Sequence, residues 1–395
     1  MNEVNFEKHV DLDRLFRLSG LKWTRDCERD MIGLGTADSD FPMPPAVKKA
    51  IIEALDEHIC FYTEYAGYKE IRSLILEKVR AKNKIALESP EDVLILPGTM
   101  MGLYLSCQYA LKGPGAEAVL IGPTYPPFME EVELANGKVV WNPVQVDEGF
   151  RLDIEDLKTK ISSHTKLLML CNPLNPCGTV FTKSELKAIA DLAEDHDFLV
   201  MSDELYETLL FDGRKHISLA SLGEARDRTI SIFGFSKGHG IAGFRCGYLT
   251  APTTIVDALI ELFKRIIIHT PTLSQIAVKV AILNNAIDAW AKQYCAHIQR
   301  MRNLACKHLN DIDGVHCHKP EGTLFVFPHF DVGLTSDEFC EYLKMKGRVV
   351  VEAGSDFGPP GEGFQRLTLA TSADLLTEGL SRIEATVTEL RSQVH

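Results

Sequence analysis

The sequence predicts an α/β protein: a large domain with a mostly parallel sheet covered by helices, plus a smaller α+β domain built from the N-terminal segment and the C-terminal third. Three observations lead to this prediction. The chain has 395 residues, too many for one ordinary core. Short, almost wholly apolar strand patterns alternate with helical patterns up to about residue 250. Beyond Pro252, long amphipathic helices precede a few short strands. Near-continuous apolar strands are typical of parallel sheets that are covered on both faces.

The pattern divides into three segments. We predict an N-terminal arm and part of the small domain over residues 1–45, the large domain over 46–275, and the small C-terminal domain over 276–395. The large domain begins with helical periodicity over 46–58, after Pro44 and Pro45, because proline is favoured in the first turn of a helix. A second helix is predicted over 71–82.

Strands and helices then alternate. The predicted strands of the large sheet cover residues 93–96, 118–121, 166–170, 198–201, 229–235 and 244–250. Helices are predicted between them over 100–111 and 183–196. Thr182 followed by Glu185 has the spacing of a capping box for the second of these helices. Beyond Pro252, helices are predicted over 254–267 and 273–309, followed by strands over 324–327, 349–351 and 365–369 and a closing helix.

Charge and cysteine usage narrow the class of function. The formal net charge is -13, and no block of lysine and arginine is present, which argues against a nucleic-acid partner. The ten cysteines include no C-x-x-C pair, so we predict reduced thiols and no metal site. The N-terminus has no apolar signal region, and no apolar run reaches about 18 residues. We therefore predict a cytoplasmic protein without a membrane partner.

Chemistry-bearing residues cluster where the predicted strands end, which is where ligands bind in open parallel sheets. They are Gly98, Thr99, Met100, Tyr125, Asn175, Asp203, Tyr206, Ser236, Lys237 and Arg245. Lys237 leaves the apolar strand 229–235 into a glycine-rich turn. Lysine amines form Schiff bases with aldehyde cofactors such as pyridoxal 5'-phosphate (PLP), and a nearby arginine can hold an anion. A surface lysine in a loop is the alternative.

Other strand-end residues match further parts of a PLP molecule. Asp203 would keep the pyridine nitrogen protonated, which makes the ring a better electron sink, although a helix N-cap is the plainer interpretation. Tyr206 and Asn175 would contact the ring oxygen; their alternatives are a core tyrosine and ordinary turn chemistry. The backbone amides that follow Gly98 would bind the phosphate, as at other helix N-termini. Taken together, at successive strand ends, these residues favour the cofactor site.

As a set, the motifs resemble fold-type I PLP enzymes of the aspartate aminotransferase superfamily, the class I/II aminotransferases, over nearly the whole chain. The motifs are Asn172-Pro-Leu-Asn-Pro-Cys-Gly178, Ser202-Asp-Glu-Leu-Tyr206, Ser236-Lys-Gly-His-Gly-Ile-Ala-Gly-Phe-Arg245 and Gln365-Arg-Leu-Thr-Leu-Ala370. The resemblance implies that Lys237 forms the Schiff base and moves the proton during transfer. It also implies that Arg366 clamps the substrate α-carboxylate, with Ala37 in the loop that covers the substrate.

The resemblance assigns the remaining contacts as well. Asp203 pairs with the pyridine nitrogen, Asn175 and Tyr206 contact the ring oxygen, and Tyr125 stacks on the ring. The phosphate is held by Thr99, Met100, Ser236 and Arg245. Tyr62 is expected to reach the phosphate of a neighbouring subunit, which implies a homodimer with shared active sites.

The implied activity is transfer of the amino group of an L-amino acid to a 2-oxo acid, within amino acid metabolism. Ala37 stands where aminotransferases more often have glycine, and in this detail the loop 36–41 resembles cystathionine β-lyase-like enzymes. A PLP-dependent C–S β-lyase is therefore an alternative, as is a specialised decarboxylase, oxidase or cyclase on the same scaffold. A regulator derived from this fold is the non-enzyme alternative. Arg265 would favour a dicarboxylic substrate if it reached the partner's site; an exposed helix arginine is the other interpretation.

Overall fold

The computed structural model describes residues 4–394, apart from 7–9, 19, 26 and 284. The strands are β1 (Ile32–Gly33), β2 (Val93–Leu96), β3 (Glu117–Gly122), β4 (Lys138–Pro143), β5 (Thr165–Cys171), β6 (Leu199–Asp203), β7 (Thr229–Gly234), β8 (Gly247–Thr250), β9 (Val315–His316), β10 (Phe325–Val326), β11 (His329–Phe330), β12 (Val349–Val350), β13 (Glu352–Ala353) and β14 (Gln365–Thr368). The α-helices are α1 (Leu12–Arg17), α2 (Leu21–Thr24), α3 (Pro45–Asp56), α4 (Lys69–Lys78), α5 (Thr99–Ala110), α6 (Pro127–Leu134), α7 (Ile154–Lys160), α8 (Lys183–Asp195), α9 (Thr253–Phe263), α10 (Thr272–Leu283), α11 (Asn285–Asn310), α12 (Ser336–Tyr342) and α13 (Ala373–Val394).

The large sheet has seven strands in the order β2-β8-β7-β6-β5-β3-β4. The pairs from β7 to β4 are parallel, whereas β8 is antiparallel to both β2 and β7. The segment between β7 and β8, which the structure describes throughout, contains a short 3-10 turn, Ala242–Phe244, and no α-helix of the kind that usually connects parallel strands. The strands β2, β3 and β5 are apolar and almost fully buried, as expected for a sheet covered on both faces. The predicted α/β fold is confirmed.

The smaller sheets join the two ends of the chain. β1 pairs in parallel with β12, so that Ile32 lies opposite Val349. β14 lies between β10 and β13, and β9 pairs with β11. The N-terminal segment and the C-terminal third therefore build one α+β unit, as predicted. The domain bounds 1–45, 46–275 and 276–395 stay a prediction.

One predicted element differs from the structure. The strand predicted over 244–250 begins only at Gly247, because a 3-10 turn occupies Ala242–Phe244 and Arg245 then adopts a left-handed φ of 49°. The helix predicted over 273–309 corresponds to α10 and α11, which flank residue 284, a position outside the described residues. The capping box at Thr182 is present, with its Oγ1 accepting a hydrogen bond from the Glu185 amide at 3.2 Å. Within the described residues, no helix combines the length and apolarity needed to cross a membrane.

Candidate active site

The carboxyl ends of β5, β6 and β7 border a cavity of about 330 Å³. Most residues predicted for the cofactor or substrate site line it: Ala37, Thr99, Met100, Tyr125, Asn175, Asp203, Tyr206, Ser236, Lys237, Arg245 and Arg366. They come together because parallel strands end at the same edge of a sheet, and because β1 and β14 carry the small unit across that edge.

Lys237 follows β7 by three residues, and its half-buried side chain lines the cavity. The ammonium Nζ donates a hydrogen bond to the Ala37 carbonyl at 2.5 Å. Burial lowers the pKa of Lys237 to about 8, and Arg366 and Arg245 act in the same direction, while Asp38 opposes them. A larger fraction of this amine is therefore neutral near pH 7 than for an exposed lysine, and the neutral amine is the nucleophilic form.

Asp203 is the last residue of β6 and is 3% exposed. Its carboxylate accepts a hydrogen bond from the Leu205 amide at 3.1 Å, and within the described residues it forms no ion pair with a lysine, arginine or histidine. Burial raises the pKa of Asp203 to about 7. A buried carboxylate without a cationic partner is costly, and a protonated ring nitrogen would supply the missing charge. This residue therefore fits the pyridine end of PLP.

The opposite end of the cavity is suited to a phosphate. Gly98 precedes α5 with a φ of 95°, and a Cβ there would lie 2.4 Å from Nη2 of Arg245. Only glycine lets the guanidinium lie this close to the beginning of the helix. An anion at this end would meet both the arginine and the unpaired amides of the first turn of α5, which begins at Thr99.

Arg366 is 3% exposed and lies between two aromatic rings, with its guanidinium carbon 4.2 Å from the centroid of Phe325 and 4.9 Å from that of Phe357. Nη1 donates to Asn175 Oδ1 at 3.2 Å, and Nη2 donates to the Gly35 carbonyl at 3.0 Å. These contacts and the flanking rings hold the guanidinium in one orientation within the cavity. That orientation suits a bidentate clamp on a carboxylate.

Two acidic residues of the cavity were not predicted from the sequence. Glu352 lies opposite Arg366 in the β13–β14 register, and its carboxylate pairs with Nη2 of that arginine. Asp38 lies in the loop that also supplies Ala37. The loop was recognisable from its motif, whereas the Glu352 contact depends on the pairing of two strands that the sequence does not specify.

Tyr62 lies outside this cavity. Its side chain is 83% exposed, and its ring lies edge-on to His269 with the centroids 5.4 Å apart. Arg265 is also exposed and does not line the cavity. An exposed position is compatible with the expected contact to a neighbouring subunit. Within the described residues, no group of histidine, cysteine, aspartate or glutamate side chains is arranged to hold a metal ion.

Residues 29–383 match the family model "Aminotransferase class I and II". The chain belongs to this family. An aspartate aminotransferase of Pyrococcus abyssi is 35% identical over 366 residues, covering 91% of this chain and 92% of that protein. The aromatic-amino-acid aminotransferase 2 of Thermococcus litoralis is 34% identical, covering 91% and 92%. A PLP-bound structure from Clostridium difficile 630 has a TM-score of 0.89 at 28% identity, covering 98% of this chain and 100% of that one.

Membership of this family makes the chain a PLP-dependent aminotransferase. The resemblance recognised in the motifs is confirmed by the family match, which spans most of the chain. Both curated relatives named above are aminotransferases, so the comparisons favour amino transfer over the lyase and the other PLP chemistries that the sequence left open.

Proposed function

We propose that the cavity lined by Lys237, Asp203 and Arg366 is the active site in which an L-amino acid donates its amino group to a 2-oxo acid. The observation that carries this proposal is the gathering of eleven predicted site residues in one cavity: Ala37, Thr99, Met100, Tyr125, Asn175, Asp203, Tyr206, Ser236, Lys237, Arg245 and Arg366. PLP, when bound, supplies an electron sink for the charge that develops at the substrate α-carbon.

Lys237 is proposed as the residue that holds the cofactor covalently through a Schiff base and that later moves a proton. Its lowered pKa supports both roles, because an amine with a pKa of about 8 is partly neutral at physiological pH and can accept a proton without holding it tightly. The contact with the Ala37 carbonyl keeps Nζ on the side of the cavity that the substrate loop covers.

Three groups are proposed to orient the cofactor around this lysine. Asp203 would hold a proton on the ring nitrogen, and the lack of an ion pair to its carboxylate among the described residues supports that role. Asn175 and Tyr206 would contact the ring oxygen, and Tyr125 would stack on the ring. Thr99, Met100, Ser236 and Arg245 would hold the phosphate. The side chains of Tyr206 and Asn175 are buried, so they are held in position before a ligand binds.

Arg366 is proposed to bind the α-carboxylate of the substrate, beneath the loop that contains Ala37. Both ends of its guanidinium already lie against oxygen acceptors, Asn175 Oδ1 and the Glu352 carboxylate. A substrate carboxylate would take the place of such an acceptor with matching geometry. The named relatives act on aspartate and on aromatic amino acids, so these two substrates are the natural starting point for assays.

We also propose that the enzyme is a homodimer of the cytoplasm that serves amino acid metabolism. Tyr62, Tyr65 and Ile268 are exposed and line one open cavity, and Phe61 and Ile266 are exposed as well. An exposed apolar patch of this kind is typical of a protein interface, and a second copy of the chain would cover it. No disulfide joins any two of the ten cysteines in the described structure, which agrees with a reducing compartment.

Replacement of Lys237 by alanine tests the proposal. The variant should lack the visible absorbance of the lysine-bound cofactor. It should also lose at least about a hundredfold in kcat for transfer from aspartate or phenylalanine to 2-oxoglutarate, because acid–base catalysis alone contributes roughly 10²- to 10⁴-fold. Lys187→Ala removes an exposed lysine of α8 and is the matched control. A Lys237→Ala protein that kept both the absorbance and turnover would exclude this lysine. Pyruvate release from cystathionine, measured in parallel, would detect the β-lyase activity.

A further inference from the structure

A second cavity lies behind the segment that carries Lys237. It has a volume of about 650 Å³ and is lined in part by Phe235 and His239, which are the residues two positions before and two after the lysine. We call it the rear cavity. Among the described residues, the rear cavity and the active-site cavity share no lining residue. Gly238 separates them: a Cβ there would lie 2.0 Å from Thr208 Oγ1, so the segment packs directly against the wall of the rear cavity.

The rim of the rear cavity is cationic. It includes the exposed lysines Lys82, Lys215 and Lys292. Lys82 lies 3.5 Å from a carboxylate oxygen of Asp288. Neither Lys215 nor Lys292 forms an ion pair with any described residue. The rim therefore has an excess of positive charge, although the protein as a whole is acidic.

The acidic residue in the floor does not cancel this excess. Glu207 is paired with Lys78, whose Nζ also donates to Asn83 Oδ1 and to the Tyr248 hydroxyl, each at 3.0 Å. Glu207 Oε2 in turn accepts a hydrogen bond from Asn83 at 2.7 Å. The charge of Glu207 is thus neutralised within the floor, and the two unpaired rim lysines remain available to a ligand.

The floor also offers an apolar surface and a polar group without a partner. Phe235 and Ala291 line it, and the ring of His239 lies 5.2 Å from that of Phe235. His239 is 7% exposed, and its Nδ1 has no hydrogen-bond partner in the described structure. Burial lowers the pKa of His239 to about 4, so the ring is neutral at pH 7.

We propose that the rear cavity binds a small organic anion, with its charged group at Lys215 and Lys292 and its apolar body against Phe235 and Ala291. The volume lies within the range of cavities that hold small molecules. The occupant would contact residues on both sides of Lys237. It would also adjoin His216, whose Nε2 lies 2.6 Å from the carboxylate of Glu204, the residue that follows Asp203. This is a site separate from the one that binds the substrate.

Phenyl phosphate is a suitable probe, because it combines two negative charges with an apolar ring. Its binding to the holoenzyme is measured by isothermal titration calorimetry. We expect saturable binding that weakens as the salt concentration rises. The double variant Lys215→Ala/Lys292→Ala should bind at least about tenfold more weakly, because each lost charge removes an attraction of the order expected for a partly exposed ion pair. Benzyl alcohol, an uncharged analogue, should also bind at least about tenfold more weakly.

Two further variants locate the binding. Ala296→Trp places a bulky side chain at an exposed position of the rim and should remove phenyl phosphate binding without a change of charge. Lys158→Ala/Lys187→Ala removes two exposed lysines elsewhere and should bind the probe as the wild type does. All variants should keep the wild-type melting temperature. The proposal is wrong if the wild type does not bind phenyl phosphate. It is also wrong if Lys215→Ala/Lys292→Ala and Ala296→Trp both bind phenyl phosphate as tightly as the wild type does. Inhibition competitive with the amino acid that persists in Ala296→Trp would also show the proposal to be wrong, since it would assign the probe to the active site.

Discussion

Replacement of Asp203 by asparagine should make the apoprotein more stable at alkaline pH while it weakens the enzyme. In the folded protein burial raises the pKa of Asp203 from 3.8 to about 7. Between these two pKa values, Asp203 is therefore protonated in the folded state and ionised in the unfolded chain. The resulting stabilisation is complete below the unfolded pKa of 3.8 and is lost as the pH rises through about 7.

The size of this effect follows from the shift. A gap of about three pKa units amounts to about 4 kcal/mol in total, of which about 3 kcal/mol is lost between pH 5 and pH 8. An asparagine side chain does not titrate, so the free energy of unfolding of Asp203→Asn would not change with pH through this position. The free energy of unfolding of the wild-type apoprotein should therefore fall by about 2–3 kcal/mol more than that of Asp203→Asn over this interval.

Urea unfolding of the apoproteins, followed by tryptophan fluorescence at pH 5, 6, 7 and 8 and at one protein concentration, measures the difference. Asp191→Asn, at an exposed position of α8, is the control and should follow the wild type. With saturating PLP at pH 8, the wild type should become more stable than Asp203→Asn. The positive charge of a protonated ring nitrogen would compensate the ionised Asp203, whereas that charge has no partner in the asparagine variant. A difference between wild type and Asp203→Asn that does not change with pH would refute this account of the buried carboxylate.

Two further predictions concern the two ends of the cavity. Gly98→Ala should weaken PLP binding at least about tenfold in an absorbance titration of the apoprotein. The new Cβ would lie 2.4 Å from Nη2 of Arg245 and displace it, and the backbone φ of 95° disfavours alanine. An unchanged affinity for PLP would show that Arg245 does not bind the phosphate. Arg366→Lys should raise KM for amino acids roughly ten- to a hundredfold at saturating PLP, since lysine cannot replace a bidentate contact. Reaction with an amine that lacks a carboxylate should be unaffected, and an unchanged KM for amino acids would remove Arg366 from the substrate site.

Much of the fold could be predicted because its signals are local. The strand patterns at 93–96, 166–170 and 229–235 are short, apolar and bounded by turn residues, and each corresponds to an observed strand. The boundary near Arg245 was predicted too early, because the left-handed turn that delays β8 depends on the packing of the segment around Lys237.

The sequence by itself determined the family, the cofactor and the residues that gather in the cavity, because short motifs at strand ends keep their spacing wherever the strands lie. Only the tertiary structure decided how those motifs meet. Asn175 and Arg366 are 191 residues apart and are joined by one hydrogen bond, and Glu352 reaches the same arginine through the pairing of β13 with β14. The rear cavity likewise depends on α11 packing against the segment after β6. Such contacts depend on strand register and helix packing, which arise from the whole chain rather than from any local pattern.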